Sequence, residues 1–163
     1  TDLSVFNCVG ITEHVEIASN SLKRLNIGND DISDATICET LKGCPKLEVF
    51  QADGCQKLVD TIVQSKSLTT LILDRSPCIT LSVDTPNLKV LEISSCVRLK
   101  QCKNLTKCAG MREIRMKYVK WELRDRILKD FKSIGAADAL LVTYSDDSNL
   151  KTLIENINCT TNN

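Results

Sequence analysis

Residues Leu88 to Leu99 read L-K-V-L-E-I-S-S-C-V-R-L, and the spacing of their apolar side chains recurs along most of the chain. With Leu88 counted as position 0, apolar residues stand at 0, +3, +5 and +11, and Cys96 stands at +8. The same pattern, with small departures at +8 and +11, begins again at Leu22, Leu47, Leu68 and Met111. Successive starts lie 25, 21, 20 and 23 residues apart, which indicates a chain built from repeats of one structural unit.

The apolar residues at +3 and +5 have the period of a β-strand. Both side chains therefore point to one face of the strand, while the residues at +2, +4 and +6 point to the other. One short strand cannot bury an apolar face by itself, whereas a stack of such strands can. We predict one α/β domain over residues 1–163, a right-handed superhelical solenoid. About six to seven parallel strands should line its concave face, with helices and turns on the convex face.

The segments that connect the repeats differ from one another. Ser33 to Lys42 begins with helix-start residues and continues with apolar residues at helical spacing, and Gly43 with Pro45 stops it, so we predict a helix there. Thr80 to Pro86 is too short and too rich in β-branched residues for a helix. We expect it to cross as an extended turn.

Residues 1–120 hold the repeats, and residues 121–163 are predicted to form a capping region, because a stack of repeats needs a cover for its last open face. Apolar spacing predicts a helix over Trp121 to Ile134. Leu140 to Ser145 matches the strand pattern once more and predicts a seventh strand. Ser148 to Ile157 has the spacing of an amphipathic helix, which would complete a helical C-terminal cap.

Two neighbouring segments carry a resemblance to a known family. These are I-S-D-A-T-I-C-E-T-L-K-G-C-P-K-L-E from Ile32 to Glu48 and F-Q-A-D-G-C-Q-K-L from Phe50 to Leu58. They resemble the cysteine-containing leucine-rich repeats of F-box proteins, the substrate-binding subunits of cullin-type ubiquitin ligases. The resemblance implies a protein-binding module that recognises the substrate of a ubiquitin ligase. The chain departs from the family pattern at Asp30 and Ser76, where cysteine is usual.

Two other functions remain open. The run L-E-I-S-S-C-V-R-L also resembles repeats of plant immune receptors, which implies the ligand-sensing fragment of an immune-type receptor. A structural or assembly subunit of a larger complex is the other alternative. Leu3 and Val5 match +3 and +5 with no position 0 before them, so we expect the chain to be part of a longer chain or complex.

Composition argues against several classes of function. Twenty-one basic and 21 acidic side chains give a formal net charge of +0, and aromatic residues make up 4%, so a nucleic-acid surface is not expected. No apolar run reaches the ~20 residues of a membrane span. His14 is the only histidine, and neither a glycine-rich phosphate loop nor a nucleophile beside a base is recognisable. We therefore predict a non-enzyme with no catalytic residues and no cofactor.

The nine cysteines are predicted to be reduced thiols, and three of them to be structural. Cys8, Cys55 and Cys96 share position +8, where the side chain turns under the end of the strand and can bond the backbone of the loop. Asp30 and Ser76 occupy the intervening repeats, so neighbouring cysteines do not form a disulfide ladder. Other cysteines lie six residues apart, whereas zinc ligands prefer spacings of about two to four, so no metal is expected. Reduced thiols indicate an intracellular protein, cytoplasmic or nuclear.

The alternate strand residues on the concave face form the predicted partner-binding surface. Val49, Ile72 and Val90 make an apolar diagonal, which is flanked by acidic residues on one side and by a basic, tyrosine-bearing end on the other. Anchors surrounded by charge are typical of protein recognition. The predicted contact residues are Val49, Gln51, Asp53, Thr70, Ile72, Asp74, Arg75, Val90, Glu92, Glu113, Arg115, Lys117 and Tyr118.

Overall fold

A computed structural model describes residues 1–5, 15–28, 31–133, 141–145 and 152–156. Over these residues the chain is α/β and contains mostly parallel strands. In chain order the elements are β1 (Asp2–Ser4), β2 (Arg24–Asn26), α1 (Asp34–Gly43), β3 (Val49–Gln51), β4 (Asp60–Gln64), β5 (Thr70–Ile72), β6 (Thr80–Asp84), β7 (Val90–Glu92), β8 (Gln101–Lys103), a 3-10 helix (Leu105–Lys107), β9 (Glu113–Arg115), α2 (Trp121–Ser133), β10 (Leu141–Ser145) and β11 (Thr152–Asn156).

The larger of two sheets contains eight of the described strands in the order β1-β2-β3-β5-β7-β9-β10-β11. Neighbours pair in parallel from β1 to β10, and only β10 with β11 is antiparallel. Residues at the same repeat position lie side by side, as in the row Leu25, Phe50, Leu71, Leu91 and Ile114, all of which are buried. Strands are therefore confirmed at the predicted repeats, but each spans +2 to +4, so that the residue at +5 follows the strand.

A second parallel sheet, β4-β6-β8, lies on the other side of the core. Thr61, Val63, Leu81 and Val83 point inward from β4 and β6 and are buried, while the residues between them face outward. This sheet corrects our prediction of helices and turns along this side. The segment Thr80 to Pro86 is extended as predicted, but it forms a paired strand, because its alternating side chains fit a half-buried sheet.

The α-helices of the described residues pack mainly at the two ends of the second sheet, α1 against β4 and α2 against β8 and the 3-10 helix. Both confirm the sequence-based predictions. Ser33 caps α1 by accepting a hydrogen bond from the Thr36 amide at 3.3 Å. Leu123, Ile127, Leu128 and Phe131 form the buried stripe of α2.

The predicted closing helix is wrong where the structure describes it. Thr152–Asn156 is a strand that pairs antiparallel with β10, whereas the remaining residues of Ser148 to Ile157 lie outside the described part of the chain. The edge of β10 offers unpaired backbone groups, and a strand satisfies them in a way that a helix cannot. Leu141–Ser145 confirms the strand predicted there, while Leu140, like Ile134, is outside the described residues.

Candidate binding surface on the large sheet

The candidate surface is the face of the large sheet that points away from the core, here called the outer face. Two rows of side chains run across it in the register of the strands. The first row is Arg24, Val49, Thr70, Val90 and Glu113, and the second is Asn26, Gln51, Ile72, Glu92 and Arg115. Most of these side chains are partly exposed, because the main contacts of α1 and α2 are with the second sheet. The outer face is therefore accessible between β2 and β9.

The turns that follow the strands extend this surface along one edge. Backbone hydrogen bonds join each turn to its neighbour. The Gly54 amide donates to the Asp74 carbonyl at 2.8 Å. In the same way, the Arg75 amide donates to the Ser94 carbonyl at 2.9 Å, and the Ser95 amide donates to the Lys117 carbonyl at 2.7 Å. These bonds tie each turn to the next one. All the predicted contact residues consequently lie either on the two rows or on the adjoining turns.

One residue in each of these turns has a left-handed backbone. The φ angles are 69° for Gly54, 57° for Arg75, 60° for Ser95 and 58° for Tyr118. All four occupy position +7, and L-residues other than glycine rarely adopt this conformation. The turn geometry is thus imposed by the repeat rather than by the residue, and it holds the exposed side chains of Arg75 and Tyr118 at the edge of the outer face.

The acidic part of the surface carries less charge than the sequence predicts. The pKa of Asp74 is raised to about 7, first by burial and then by the nearby Glu92 and Asp53. Its Oδ1 accepts a hydrogen bond from the Ser94 amide at 2.8 Å, which opposes part of this rise. Near neutral pH, Asp74 is therefore divided between its protonated and ionised forms.

Asp53 lies next to this carboxyl group in the neighbouring repeat. Its Oδ2 accepts a hydrogen bond from the side-chain amide of Gln51 at 2.5 Å. Its Oδ1 is buried and accepts no hydrogen bond from the residues that the structure describes. The acidic part of the surface is thus a set of crowded, partly buried carboxyl groups rather than a solvated rim.

The basic end of the surface is also weaker than predicted. Arg115 donates from Nε to Glu113 at 2.6 Å, from a second nitrogen to the same carboxylate at 3.1 Å, and to Glu92 at 2.9 Å. These hydrogen bonds raise the pKa of Arg115. Its charge is compensated within the sheet by Glu113 and Glu92. Lys117 forms no ion pair with another described residue and supplies the positive charge at this end.

The thiols below the turns have structural roles. The Cys96 thiol donates to the Leu73 carbonyl at 3.1 Å, and the Cys55 thiol lies 4.0 Å from the Ile27 carbonyl. Ser76 occupies the same position and donates to Ala52 at 3.5 Å. The predicted bond from +8 to the backbone of a loop is therefore confirmed at these positions, while Cys8 lies outside the described residues.

Among the residues that the structure describes, no cysteine is joined to another by a disulfide bond. A hydrogen bond with Cys78, together with burial, raises the pKa of Cys96, and burial raises that of Cys102 to about 12. Thiols held in their protonated form are poor nucleophiles. Within the residues that the structure covers, no group of three or more His, Cys, Asp and Glu side chains is arranged to hold a metal ion. His14 is outside those residues.

Two cavities lie away from the outer face. One, of about 460 Å³, lies between the end of α1 and the ends of β4 and β6. The other, of about 340 Å³, lies between Leu99–Gln101 and α2. The sequence pattern does not indicate either cavity, because each is lined by residues outside the repeat positions that define the strands of the large sheet.

Comparisons with protein-family models, with curated proteins and with solved structures give no match. No helix among the described residues is both long enough and apolar enough to pass through a bilayer. Function has to be argued from the surface itself.

Proposed function

We propose that this chain is a leucine-rich-repeat solenoid that binds a partner protein through the outer face of its large sheet. The proposal extends to substrate recognition in a ubiquitin ligase of the F-box type, on the strength of the resemblance carried by Ile32 to Leu58. The recurring register of the parallel strands, which places equal repeat positions side by side, supports the repeat architecture.

The observation that carries the proposed function is the composition of the accessible rows. Ile72 stands between Gln51 and Glu92, and Val90 stands between Thr70 and Glu113. Apolar anchors bordered by hydrogen-bonding and charged groups are typical of protein interfaces. Because the Arg115 ion pairs hold Glu92 and Glu113 in fixed positions, a partner would meet a preorganised surface.

The test compares substitutions on two differently placed sheets. Ile72→Asp alters the outer face, where Ile72 is partly exposed. Ile62→Asp alters the outward side of the second sheet, where Ile62 is 57% exposed. Proteins bound by the parent chain in cell extract should be lost with Ile72→Asp and retained with Ile62→Asp, at equal thermal stability. Retention of every partner by a folded Ile72→Asp variant would contradict the proposal. Accumulation of the recovered partner, when the full-length protein is depleted, would support ubiquitin-ligase substrate recognition.

One observation favours the assembly-subunit alternative. Leu3 in β1 is 40% exposed, whereas its register partner Leu25 in β2 is 1% exposed. An apolar side chain on the core side of an edge strand is suited to contact with another chain. Light scattering at several protein concentrations distinguishes an assembly subunit from a binding module. Self-association that increases with concentration and is abolished by Leu3→Asp would favour the assembly role. A monomer at all concentrations would oppose it.

A further inference from the structure

A flank of the molecule away from the outer face combines a cavity with exposed apolar side chains. The cavity of about 340 Å³ lies between the segment Leu99–Gln101 and the first turns of α2. Leu99 and Leu123 in its lining are buried and apolar. Its volume is at the lower end of the range of about 300–1,000 Å³ found for ligand pockets. It can therefore receive a side chain or a short segment rather than a folded element.

Two exposed hydrophobic residues lie next to the lining residues in the sequence. Val97, 57% exposed, lies two residues before Leu99, and Trp121, 58% exposed, lies between Lys120 and Glu122. A single exposed hydrophobic residue is ordinary, whereas two beside one cavity favour an interaction site. Tryptophan is also among the residues most often found as binding hot spots.

The charge of this flank is positive although the whole chain is neutral. Lys100, Lys120 and Arg126 line the cavity, whereas Glu122 is the only acidic residue among the described residues of its lining. Arg98 is exposed beside them. None of these four cations forms an ion pair with another residue in the part of the chain that the structure describes. Arg126 instead donates to the Lys100 carbonyl at 3.3 Å, which ties α2 to the opposite wall.

We propose that this flank, formed by residues 97–101 and 120–126, binds an acidic peptide segment that carries one apolar or aromatic anchor. The anchor occupies the cavity against Leu99 and Leu123, and the acidic residues lie against Lys100, Lys120 and Arg126. The buried apolar lining at Leu99 and Leu123 favours a peptide anchor over the phosphate backbone of a nucleic acid, which carries no apolar side chain to occupy the cavity. This site is separate from the outer face and does not depend on the function proposed for that face.

The experiment uses a short fluorescent peptide of glutamate and aspartate residues with one central phenylalanine. Its binding to the full chain is followed by fluorescence anisotropy. Substitution of Trp121→Ala or Lys120→Glu should each weaken binding about tenfold, the loss expected for an anchor contact or a charge reversal. Raising the ionic strength from about 0.01 M to about 0.15 M should also weaken it, because the attracting charges are exposed.

Matched controls separate this site from the rest of the surface. Lys89→Glu reverses another exposed lysine, Ile62→Ala removes another exposed apolar side chain, and Ile72→Asp alters the outer face. All three should leave peptide binding unchanged. The proposal is overturned if the acidic peptide does not bind, if Lys120→Glu has no more effect than Lys89→Glu, or if a single-stranded oligonucleotide of equal charge binds as tightly as the peptide.

Discussion

The Cys96 thiol donates to the carbonyl oxygen of Leu73, a residue of the preceding repeat, at 3.1 Å. Cys96 is at +8 of one repeat and Leu73 is at +5 of the repeat before it, so the bond connects two turns of the chain. The Ser76 hydroxyl makes the same connection to the Ala52 carbonyl, and the Cys55 thiol makes it to the Ile27 carbonyl. In these three repeats, position +8 holds a small side chain that can donate, and both cysteine and serine serve. Val119 holds the same position in the repeat that begins at Met111, and it is buried without a donor.

Removal of this donor should cost stability. Cys96→Ala leaves the buried Leu73 carbonyl without its side-chain donor and creates a small cavity, so we expect a loss of about 1–3 kcal/mol in the free energy of unfolding. Cys96→Ser keeps a donor and should lose less, as the serine at position 76 indicates. Urea unfolding followed by circular dichroism measures both. Cys38→Ala, on the partly exposed side of α1, is the control and should be nearly neutral; equal losses for the alanine and serine variants at 96 would contradict the role of the bond.

The raised pKa of Asp74 should make stability depend on pH. Its pKa is about 7 in the folded chain and is near 3.9 in an unfolded one, so the folded state holds more protons between these values. Stability contributed by this group is therefore present in full below about pH 4 and is lost as pH rises to about 7, with no further change above that value. This direction is opposite to that of an ordinary ion-paired aspartate.

Asp74→Asn tests this expectation. The substitution keeps an oxygen that can accept the Ser94 amide and removes the charge beside Glu92 and Asp53. We expect it to raise the free energy of unfolding by about 1 kcal/mol at pH 8, with little gain at pH 4, after allowance for solvent screening of a half-buried group. Asp60→Asn, at an exposed site, should show no such pH-dependent gain. A gain equal at both pH values would refute the assignment.

The left-handed backbone at position +7 predicts that removing a glycine there and introducing one have opposite effects on stability. Gly54 has a φ of 69° with no atom within 4 Å of an added Cβ, so Gly54→Ala should lose stability through backbone strain alone, by about 1 kcal/mol. Ser95→Gly removes the corresponding strain and should be neutral or slightly stabilising. Gly110→Ala is the matched control, because that glycine has equal space without a positive φ. Thermal unfolding would contradict this account if Gly54→Ala and Gly110→Ala behaved alike.

Much of the large sheet could be predicted because its residues are constrained by their own spacing. The buried row through Leu91 and the thiol position of Cys96 follow from equal spacing in the sequence and the in-register pairing of neighbouring strands. The charge state of the surface could not be predicted in the same way. Arg115 is compensated by Glu92, which is 23 residues away, and Asp74 is affected by its burial as well as by its neighbours. Such effects depend on side-chain conformations, which the repeat pattern leaves open.

Periodicity also does not predict which strands pair outside the repeated positions. Thr152–Asn156 has apolar spacing that fits a helix, yet it lies in a strand because the neighbouring edge of β10 supplies backbone partners. Thr80–Asp84 was recognised as extended but not as paired, since its partners β4 and β8 belong to other repeats. In both cases the tertiary context, rather than the local pattern, decides the element.

Asp34 should be among the most sensitive surface carboxylates, because it joins α1 to the first strand of the second sheet. Its Oδ2 accepts hydrogen bonds from the amides of Val59 and Asp60, each at 3.0 Å, and its Oδ1 accepts from the Thr61 hydroxyl at 2.6 Å. Asp34→Ala removes all three charge-assisted bonds and an acidic residue from the first turn of α1, so we expect a loss of about 2–3 kcal/mol in the free energy of unfolding.

Glu39→Ala removes an exposed carboxylate from the same helix and should change stability by less than about 0.5 kcal/mol. Amide hydrogen exchange at Val59 and Asp60 should accelerate selectively in Asp34→Ala, since those two donors lose their acceptor. Unchanged exchange at both amides, with equal stabilities for the two variants, would show that the carboxylate does not hold β4 to α1.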